Sequence, residues 1–306
     1  MPRIFVAGSF VVGLTIGVQR MPVIGETLIG DRFDLGPGGK GTNQAIAAAR
    51  LGAKVDLLAA VGKDLLGQMA LDLFRRERIP LTHIHRMPQV NTAVGVVHLL
   101  PDGQNWIVGH LGANMRLTPE HVDVAADQIA ASNVVLAQNE LPLEVVRRAL
   151  ELGRQAGVMT IWNPAPAPAD APKFLADVDL LTPNETELRL LQGLAPDDPT
   201  PNVELAERLL ARGVKQLVVT CGTAGCLIVT AAGTHQVDAV AVTDVVDTTG
   251  AGDAFNAALA VGLAEGMHLR QAVRQATGAG AYAVGRLGVI DGLATRSQLD
   301  AFMGGR

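Results

Sequence analysis

The residues best placed to do chemistry lie in the stretch Asp247-Thr248-Thr249-Gly250-Ala251-Gly252-Asp253-Ala254-Phe255. A strand-like run, VTDVV, precedes it and an apolar helix follows. The first N–H groups of a helix have no partner inside it. Gly250, Ala251 and Gly252 would therefore turn free donors outward, with the helix dipole adding positive charge. That makes an anion site. Asp253, in the first turn of the same helix, has two readings. It is an ordinary helix-start carboxylate favoured by the dipole, or it is a base. A carboxylate beside an anion hole repels the anion unless it has its own task. Taking a proton from a hydroxyl, while the N–H groups hold phosphoryl oxygens, is such a task. Phosphoryl transfer needs that set of parts: an oriented nucleophile, a base and electrostatic stabilisation.

Two further glycine-rich stretches invite a ligand. Gly36-Pro37-Gly38-Gly39-Lys40-Gly41-Thr42-Asn43-Gln44 has the spacing G-x-G-x-x-G at Gly36, Gly38 and Gly41. A dinucleotide fingerprint would follow the first buried strand directly and place an acid at the end of the next one. Here the first strand ends far upstream, and Asp56 stands near the start of the following strand. Lys40 is followed by Gly41, so this is not a phosphate-binding P-loop either. What remains is a turn that lets backbone approach a ligand and opens a helix. Lys40, Asn43 and Gln44 lie in its first turns, with Asn43 able to hydrogen-bond hydroxyls. The alternative is a plain turn with a solvated lysine. Thr220-Cys221-Gly222-Thr223-Ala224-Gly225 follows the buried run LVVT. A loop beyond the carboxyl end of a strand suits a nucleotide, and a simple turn between strands 215–220 and 225–230 is the other reading.

Two shorter motifs sit at strand ends. Asn163-Pro164-Ala165-Pro166-Ala167 follows VMTIW, and Thr182-Pro183-Asn184-Glu185-Thr186-Glu187 follows DLL and opens a helix. Pro183 and the glutamates suit a helix start. Asn184 and Glu187, three apart, also offer hard oxygen atoms to Mg²⁺, an ion that keeps several waters and meets few protein groups.

The elements that must position these loops alternate. Residues 3–8 form a buried strand. From Leu14 to Leu35 the period is two, with Leu14, Ile16 and Val18 on one side and a second extended stretch after Gly25. Residues 92–100 and 104–109 form a hairpin across Pro101-Asp102-Gly103. These segments predict a small sheet apart from the main body. Elsewhere strands at 54–61, 133–138, 158–162, 178–181 and 215–220 alternate with helices at 40–51, 65–77, 142–156, 184–191, 202–212, 251–265 and 268–284. Such βαβ order implies an α/β fold with a mostly parallel sheet and helices on both faces.

Composition sets the outer bounds. The chain has 306 residues, 48% of them hydrophobic, and a formal charge of −5. That excludes a disordered chain, and the mildly acidic balance argues against nucleic-acid binding. Cys221 and Cys226, C-x4-C with no histidine close by, read as two reduced thiols of a cytoplasmic protein. The first residues read as a strand and not a signal peptide. No run reaches the length of a membrane span. His83, His85, His98, His110 and His121 show no metal spacing. His110, in GHLGAN, is the one with a chance of facing a ligand, and Trp106 and Trp162 read as packing residues.

Taken together, GGKGTNQA at 38–45, NPAPA at 163–167, TPNETE at 182–187 and DTTGAGDAF at 247–255 resemble the ribokinase-like (PfkB) family of carbohydrate kinases. The likeness runs over essentially the whole chain and points to the ribokinase branch. It implies a single domain over residues 1–306, a three-layer α/β/α sandwich with a small β-sheet lid from about 12–36 and 92–110 that often serves as a dimer contact. It implies an ATP-dependent enzyme that uses Mg²⁺ and K⁺. Asp253 would be the base, with Gly250, Ala251 and Gly252 as anion hole. Gly38, Gly39, Lys40 and Asn43 would contact the sugar, with Glu140 nearby. Asn184, Thr220, Gly222, Thr223, Gly225, Gly252 and Thr277 would meet ATP. Asn184 and Glu187 would act near Mg²⁺, mostly through water. K⁺ would sit by Asp247, Thr249, Ala283, Arg286, Gly288 and Gly292, with Arg286 offering its carbonyl and Gly292 standing where a serine is common.

The departure is at the sugar. The family pattern G-S-x-N-x-D reads Gly8-Ser9-Phe10-Val11-Val12-Gly13 here, so Val11 and Gly13 stand at the Asn and Asp positions that hold vicinal hydroxyls. Hydroxyls left unpaired weaken binding sharply, which predicts D-ribose as a poor substrate. Gly13 also frees space for a deoxy, branched or larger sugar. Gln19 and Arg20 are candidates to replace the lost contacts. A nucleoside kinase of the same family, a non-catalytic sugar- or nucleotide-binding protein, and a nicotinamide-dependent oxidoreductase resting on Gly36, Gly38 and Gly41 are the competing readings.

Overall fold

The computed structural model describes residues 1–101, 104–168 and 173–305. Its centre is β1 (Arg3–Ala7). Ile4 and Val6 face one hydrophobic core, and Phe5 and Ala7 face the other. A strand covered on both sides has no solvent face, which is why the run is apolar throughout.

Around β1 lies a nine-stranded sheet. Its order is β13 (Gly233–Val237), β12 (Cys226–Thr230), β11 (Gln216–Thr220), β10 (Leu180–Leu181), β9 (Met159–Trp162), β8 (Val134–Ala137), β1, β4 (Lys54–Gly62) and β5 (Ile84–Met87). Pairing is parallel except at β11–β12 and β12–β13. The two edge strands, β5 and β13, are polar and short and were not anticipated from hydrophobic pattern. One face carries α1 (Lys40–Arg50), α2 (Leu65–Arg76), α8 (Ala251–Ala264), α9 (Leu269–Val284), α10 (Val289–Gly292) and α11 (Arg296–Gly304). The other carries α3 (Pro119–Asp123), α4 (Ala126–Ala130), α5 (Leu143–Gln155), α6 (Glu185–Leu190) and α7 (Asn202–Ala211). Two helix-covered faces make three layers. α8 is buried nearly all round. Its small residues allow this: a Cβ on Gly262 would stand 3.1 Å from Ala272 Cβ of α9.

A separate four-stranded sheet has the order β3 (Arg32–Gly38), β2 (Val11–Gly17), β6 (Ala93–Leu99) and β7 (Asn105–His110). β2–β3 and β6–β7 are antiparallel, and β2–β6 is parallel. The hairpin joining β6 to β7 is as expected, although Asp102 and Gly103 of its turn lie outside the described residues. Two boundaries differ from expectation. The sheet begins at Val11, and β3 runs on through Gly36-Pro37-Gly38, so the glycine-rich stretch is strand until Gly39. Gly39 alone turns, at φ +96°, and a Cβ on it would stand 2.8 Å from Val11 N. The run VTDVV is not a strand. Among the described residues no neighbouring strand receives it, and Val246 and Asp247 instead donate their N–H groups to Val284 O at the end of α9.

Both cysteines are free. Burial pushes the Cys226 thiol up to about 12. Trp162 is fully buried and donates Nε1–H to Asn139, whereas Trp106, expected to pack, is exposed on the small sheet. Among the described residues no helix is long and apolar enough to cross a membrane.

Candidate active site

The site forms where β1 meets α1. Gly8 and Gly41 cross so closely that a Cβ on either would fall 2.3 Å from the other's Cα. Ser9 O accepts the N–H and the hydroxyl of Thr42, at 2.9 and 2.7 Å, which fixes the start of α1 on the end of the strand. Glu140, in the loop after β8, caps that helix: its Oε2 accepts Lys40 N–H at 2.9 Å and the Ser9 hydroxyl. One oxygen of the residue expected near the sugar is therefore committed to holding α1.

Asn43 and Gln44, consecutive on α1, reach across to α8. Asn43 Nδ2 donates to Asp253 Oδ2 at 2.7 Å and Gln44 Nε2 donates to Asp253 Oδ1 at 2.9 Å. Asp253 is 8% exposed. Burial pushes its carboxyl above the usual range, the Lys40 ammonium and the two amides oppose this, and Glu140 adds to it. Behind the carboxylate runs a chain of buried amides. Gln138 donates to Gln44 at 2.6 Å, Gln44 to Asn163 at 3.1 Å and Asn163 to Thr182 O at 3.0 Å. Thr182 donates to Asn256 at 2.5 Å, and Asn256 to Gly252 O at 2.8 Å. The chain ties three motifs, GGKGTNQ, NPAPA and TPNETE, to the start of α8. Sequence reasoning assigned no role to Gln138 or Asn256. The three-residue step from Asp253 to Asn256, nearly one helical turn, was the signal for the second; Gln138, in a short strand exit, offered none.

Gly250 adopts φ +81°, which starts α8 without any side-chain cap. Of the three expected donors, Ala251 N–H is turned to Thr248 O at 3.3 Å. Asn184 and Glu187 form a reciprocal cap on α6, with Asn184 N–H to Glu187 Oε2 at 2.9 Å and Glu187 N–H to Asn184 Oδ1 at 2.8 Å. The helix-start reading thus holds for both. It takes Asn184's carbonyl oxygen from the set of free metal donors. Glu187 still senses the site: burial raises its carboxyl, Asp253 adds to the rise, and Asn184 N–H and Lys40 oppose it. Among the described residues no group of three or more His, Cys, Asp or Glu forms a metal cluster.

Thr220 N–H bonds Pro183 O at 3.0 Å, which seats the Thr220–Gly225 loop beside TPNETE. Gly222 to Ala224 form a single 3₁₀ turn and Gly225 has φ +85°, with Thr223 exposed. The Thr277 hydroxyl, buried on α9, donates to Arg274 O at 2.7 Å and so serves its own helix. The expected cation corner comes together. Asp247 accepts N–H from Thr249 at 2.9 Å and from Gly288 at 3.4 Å. A Cβ on Gly292 would stand 3.4 Å from Ala283 O. The Arg286 guanidinium lies 3.4 Å over the Tyr282 ring, away from any ligand role.

Val11 is half-buried beside Gly38, its register partner, and Gly13 pairs with Gly36. Gln19 and Arg20 do not replace the missing contacts: Gln19 donates to Asp31 at 2.5 Å and Arg20 pairs with Glu26, all within one exposed loop. His110 pairs with Val94, on the opposite side of the sheet from Val11, so it faces away from the site.

A family model for the pfkB family of carbohydrate kinases matches residues 1–296. The chain belongs to this family. Among its relatives, ribokinase of Haemophilus influenzae is 34% identical over 97% of each chain. Deoxyribokinase of Salmonella typhi is 37% identical over 82% of each. Among solved structures, an Arabidopsis thaliana ribokinase complexed with ribose and ATP superimposes with a TM-score of 0.92 at 28% identity, covering 99% of this chain and 98% of that one. A Thermotoga maritima ribokinase gives 0.89 at 31%, over 99% and 100%. The fold is thus ribokinase-like, and the relatives are ATP-dependent phosphotransferases. A family of kinases leaves the glycine spacing at Gly36, Gly38 and Gly41 no nicotinamide role.

Proposed function

We propose that this pfkB-family kinase transfers the γ-phosphoryl group of ATP to a primary hydroxyl of a sugar unit other than free D-ribose. The observation that carries the reading is the buried Asp253, held by Asn43 and Gln44 at the start of α8. The acceptor hydroxyl oxygen forms the new bond to phosphorus, its proton passes to Asp253, and the bond from phosphorus to the ADP oxygen breaks. Of the expected anion hole, Gly250 and Gly252 take the role of donors while Ala251 N–H is held by Thr248 O, and Lys40 adds positive charge.

ATP lies along Thr220, Gly222, Thr223 and Gly225, with Asn184, Gly252 and Thr277 beside it. Glu187 would offer Mg²⁺, mostly through water, the oxygen that the helix cap does not use, and the ion would supply positive charge to the phosphates. The corner of Asp247, Thr249, Ala283, Arg286, Gly288 and Gly292 would hold K⁺, with Arg286 offering its carbonyl. Gly39, Lys40, Asn43 and Glu140 hold the sugar, and Val11 and Gly13 deny D-ribose its pairing partners. The four-stranded sheet acts as a lid. Its outer face supports a homodimer: Phe33, Leu35, Trp106 and Val108 share that face and are 66%, 39%, 44% and 68% exposed, a patch that water disfavours.

The test is ADP release from ATP–Mg²⁺ over a panel of pentoses, deoxypentoses, hexoses, ketoses and nucleosides, with and without K⁺. Turnover of a non-ribose acceptor that Asp253→Asn abolishes supports the reading. Efficient turnover of D-ribose overturns the part resting on Val11 and Gly13. ATP binding with no turnover on any acceptor favours a binding protein.

A further inference from the structure

α10 is a single helical turn, Val289–Gly292. Valine, isoleucine, aspartate and glycine form helix poorly, and one turn has no stability of its own. Its place is therefore set by what grips it. At its end, Arg50 Nη1 donates to Ile290 O at 2.6 Å and to Leu293 O at 3.0 Å. Glu77 fixes the rest of the guanidinium, with Nε to Oε2 at 3.0 Å and Nη2 to Oε1 at 2.7 Å. At its start, Gly288 N–H donates to Asp247 Oδ2 at 3.4 Å. Between the two, a methyl of Val289 occupies the space a side chain on Gly250 would need. A Cβ there would fall 2.6 Å from Val289 Cγ1.

Arg50 is the last residue of α1. Asn43, which donates to Asp253, stands seven residues before it on the same helix. Residues seven apart share a helix face, about 10 Å from each other along the axis. One face of one helix thus holds the Asp253 carboxylate from its first turns and, through α10, the Gly250 turn from its last. Gly250 is the N-cap of α8, the helix that carries Asp253. The base and the turn that opens its helix are both referred to α1.

A stabilising ion pair between two helix ends does not account for this arrangement. The Arg50 and Glu77 side chains are 21% and 13% exposed, and a largely buried pair adds little net stability. The pair is complete without any carbonyl. What it supplies is a planar fork, held rigid, whose remaining nitrogen is aimed at α10.

We propose that Arg50 is a positioning residue for phosphoryl transfer: it fixes α10, and Val289 on α10 sets the Gly250 turn against the transferred group. The inference rests on the kinase reading of Asp253 and Gly250. Arg50 acts through Val289 and not on the substrate. It therefore governs how well the transition state is held, and not how tightly ATP or the acceptor binds.

The experiment measures ADP release from ATP–Mg²⁺ with 2-deoxy-D-ribose, D-fructose and inosine as acceptors, together with melting temperature. It compares the parent with Arg50→Lys, Val289→Ala, the double variant and Glu77→Gln. Lysine keeps the charge but cannot span Glu77 and both carbonyls. Arg50→Lys and Val289→Ala are each expected to lower kcat about tenfold, with KM for ATP and acceptor within about twofold of the parent. Both act through one path, so the double variant should also lose about tenfold and not about a hundredfold. Glu77→Gln leaves the carbonyl bonds in place, so it should melt lower than the parent and keep kcat within about twofold. A loss carried by KM, multiplied losses in the double variant, or a Glu77→Gln kcat as low as that of Arg50→Lys overturns the proposal. If Arg50→Lys does not fold, Val289→Ala decides: a parental kcat overturns the proposal, and a lowered kcat at unchanged KM supports it. A parent that transfers to no acceptor of the wider panel overturns the kinase reading and this inference with it. An active parent matched by Arg50→Lys overturns this inference alone.

Discussion

On the α1–α8 side of the site, Asn43, Gln44, Gln138, Asn163 and Asn256 are buried polar residues linked in series to one carboxylate. On the adjoining sheet face, β3, β2, β6 and β7 present a row of bare backbone. The first surface fixes a single arrangement. Among the described residues Asn43 Oδ1 and Gln138 Oε1 have no partner, but the other links of the chain pair amide with amide, carboxylate, hydroxyl or backbone carbonyl, and breaking one leaves a further buried group unpaired. The second surface fixes almost nothing, because no side chain projects from it. Chemistry common to a family needs the first kind of surface, and choice of acceptor is free to vary on the second.

The comparison breaks most sharply at Asp253. Asp253→Asn is expected to lower kcat by about 10²–10⁴-fold, the span of general-base catalysis. Its melting temperature should stay close to that of the parent, because relief of a buried carboxylate whose pKa burial raises is offset by an amide NH2 turned against one of the two amide donors. The sign follows from the direction of the shift. Activity of the parent should rise with pH through a value above the usual carboxylate range, and the variant should lose that limb. A pH–rate profile and a melting curve check both.

Gln44→Leu tests the amide chain. It removes the partner of Gln138, Asn163 and Asp253 at once. At about 1–3 kcal/mol per unpaired buried group, urea unfolding should show a loss of several kcal/mol, with activity reduced. Gly13→Asp tests the bare face from the other side. A carboxylate there gives vicinal hydroxyls an acceptor, and kcat/KM for D-ribose should rise about tenfold. No rise would mean that Gly13 does not face the sugar.

Smaller effects lie on the outer side and at the sheet edge. Phe33→Ser with Trp106→Ser should shift sedimentation from dimer to monomer and leave the fold intact. A parent already monomeric removes the dimer reading. His85, on β5, has its imidazole pushed down to about 4 by burial, with His121 and His83 adding to it. A depressed histidine gives stability that is full above its unfolded pKa of about 6.5 and lost as pH falls towards 4. His85→Gln should therefore flatten the acid side of the melting curve by a small amount and leave kcat unchanged, since it stands apart from both surfaces.

The apolar run at β1, the alternation of β2 and the βαβ order could all be read before any coordinates. So could the family, and the helix starts that carry Lys40, Asn43 and Asp253. Hydrophobic period reports burial, and loop composition reports backbone freedom, and both are local properties. Tertiary structure alone decided which polar groups meet. Gln44 and Asp253 are 209 positions apart, and no local pattern encodes that contact. Likewise Asn184 and Glu187 look alike as metal ligands or as a helix cap until the backbone angle at Asn184 selects the cap. The glycine row was invisible for the same reason. Gly13, Gly36, Gly95 and Gly109 sit in four separate strands, and only their register places four missing side chains side by side.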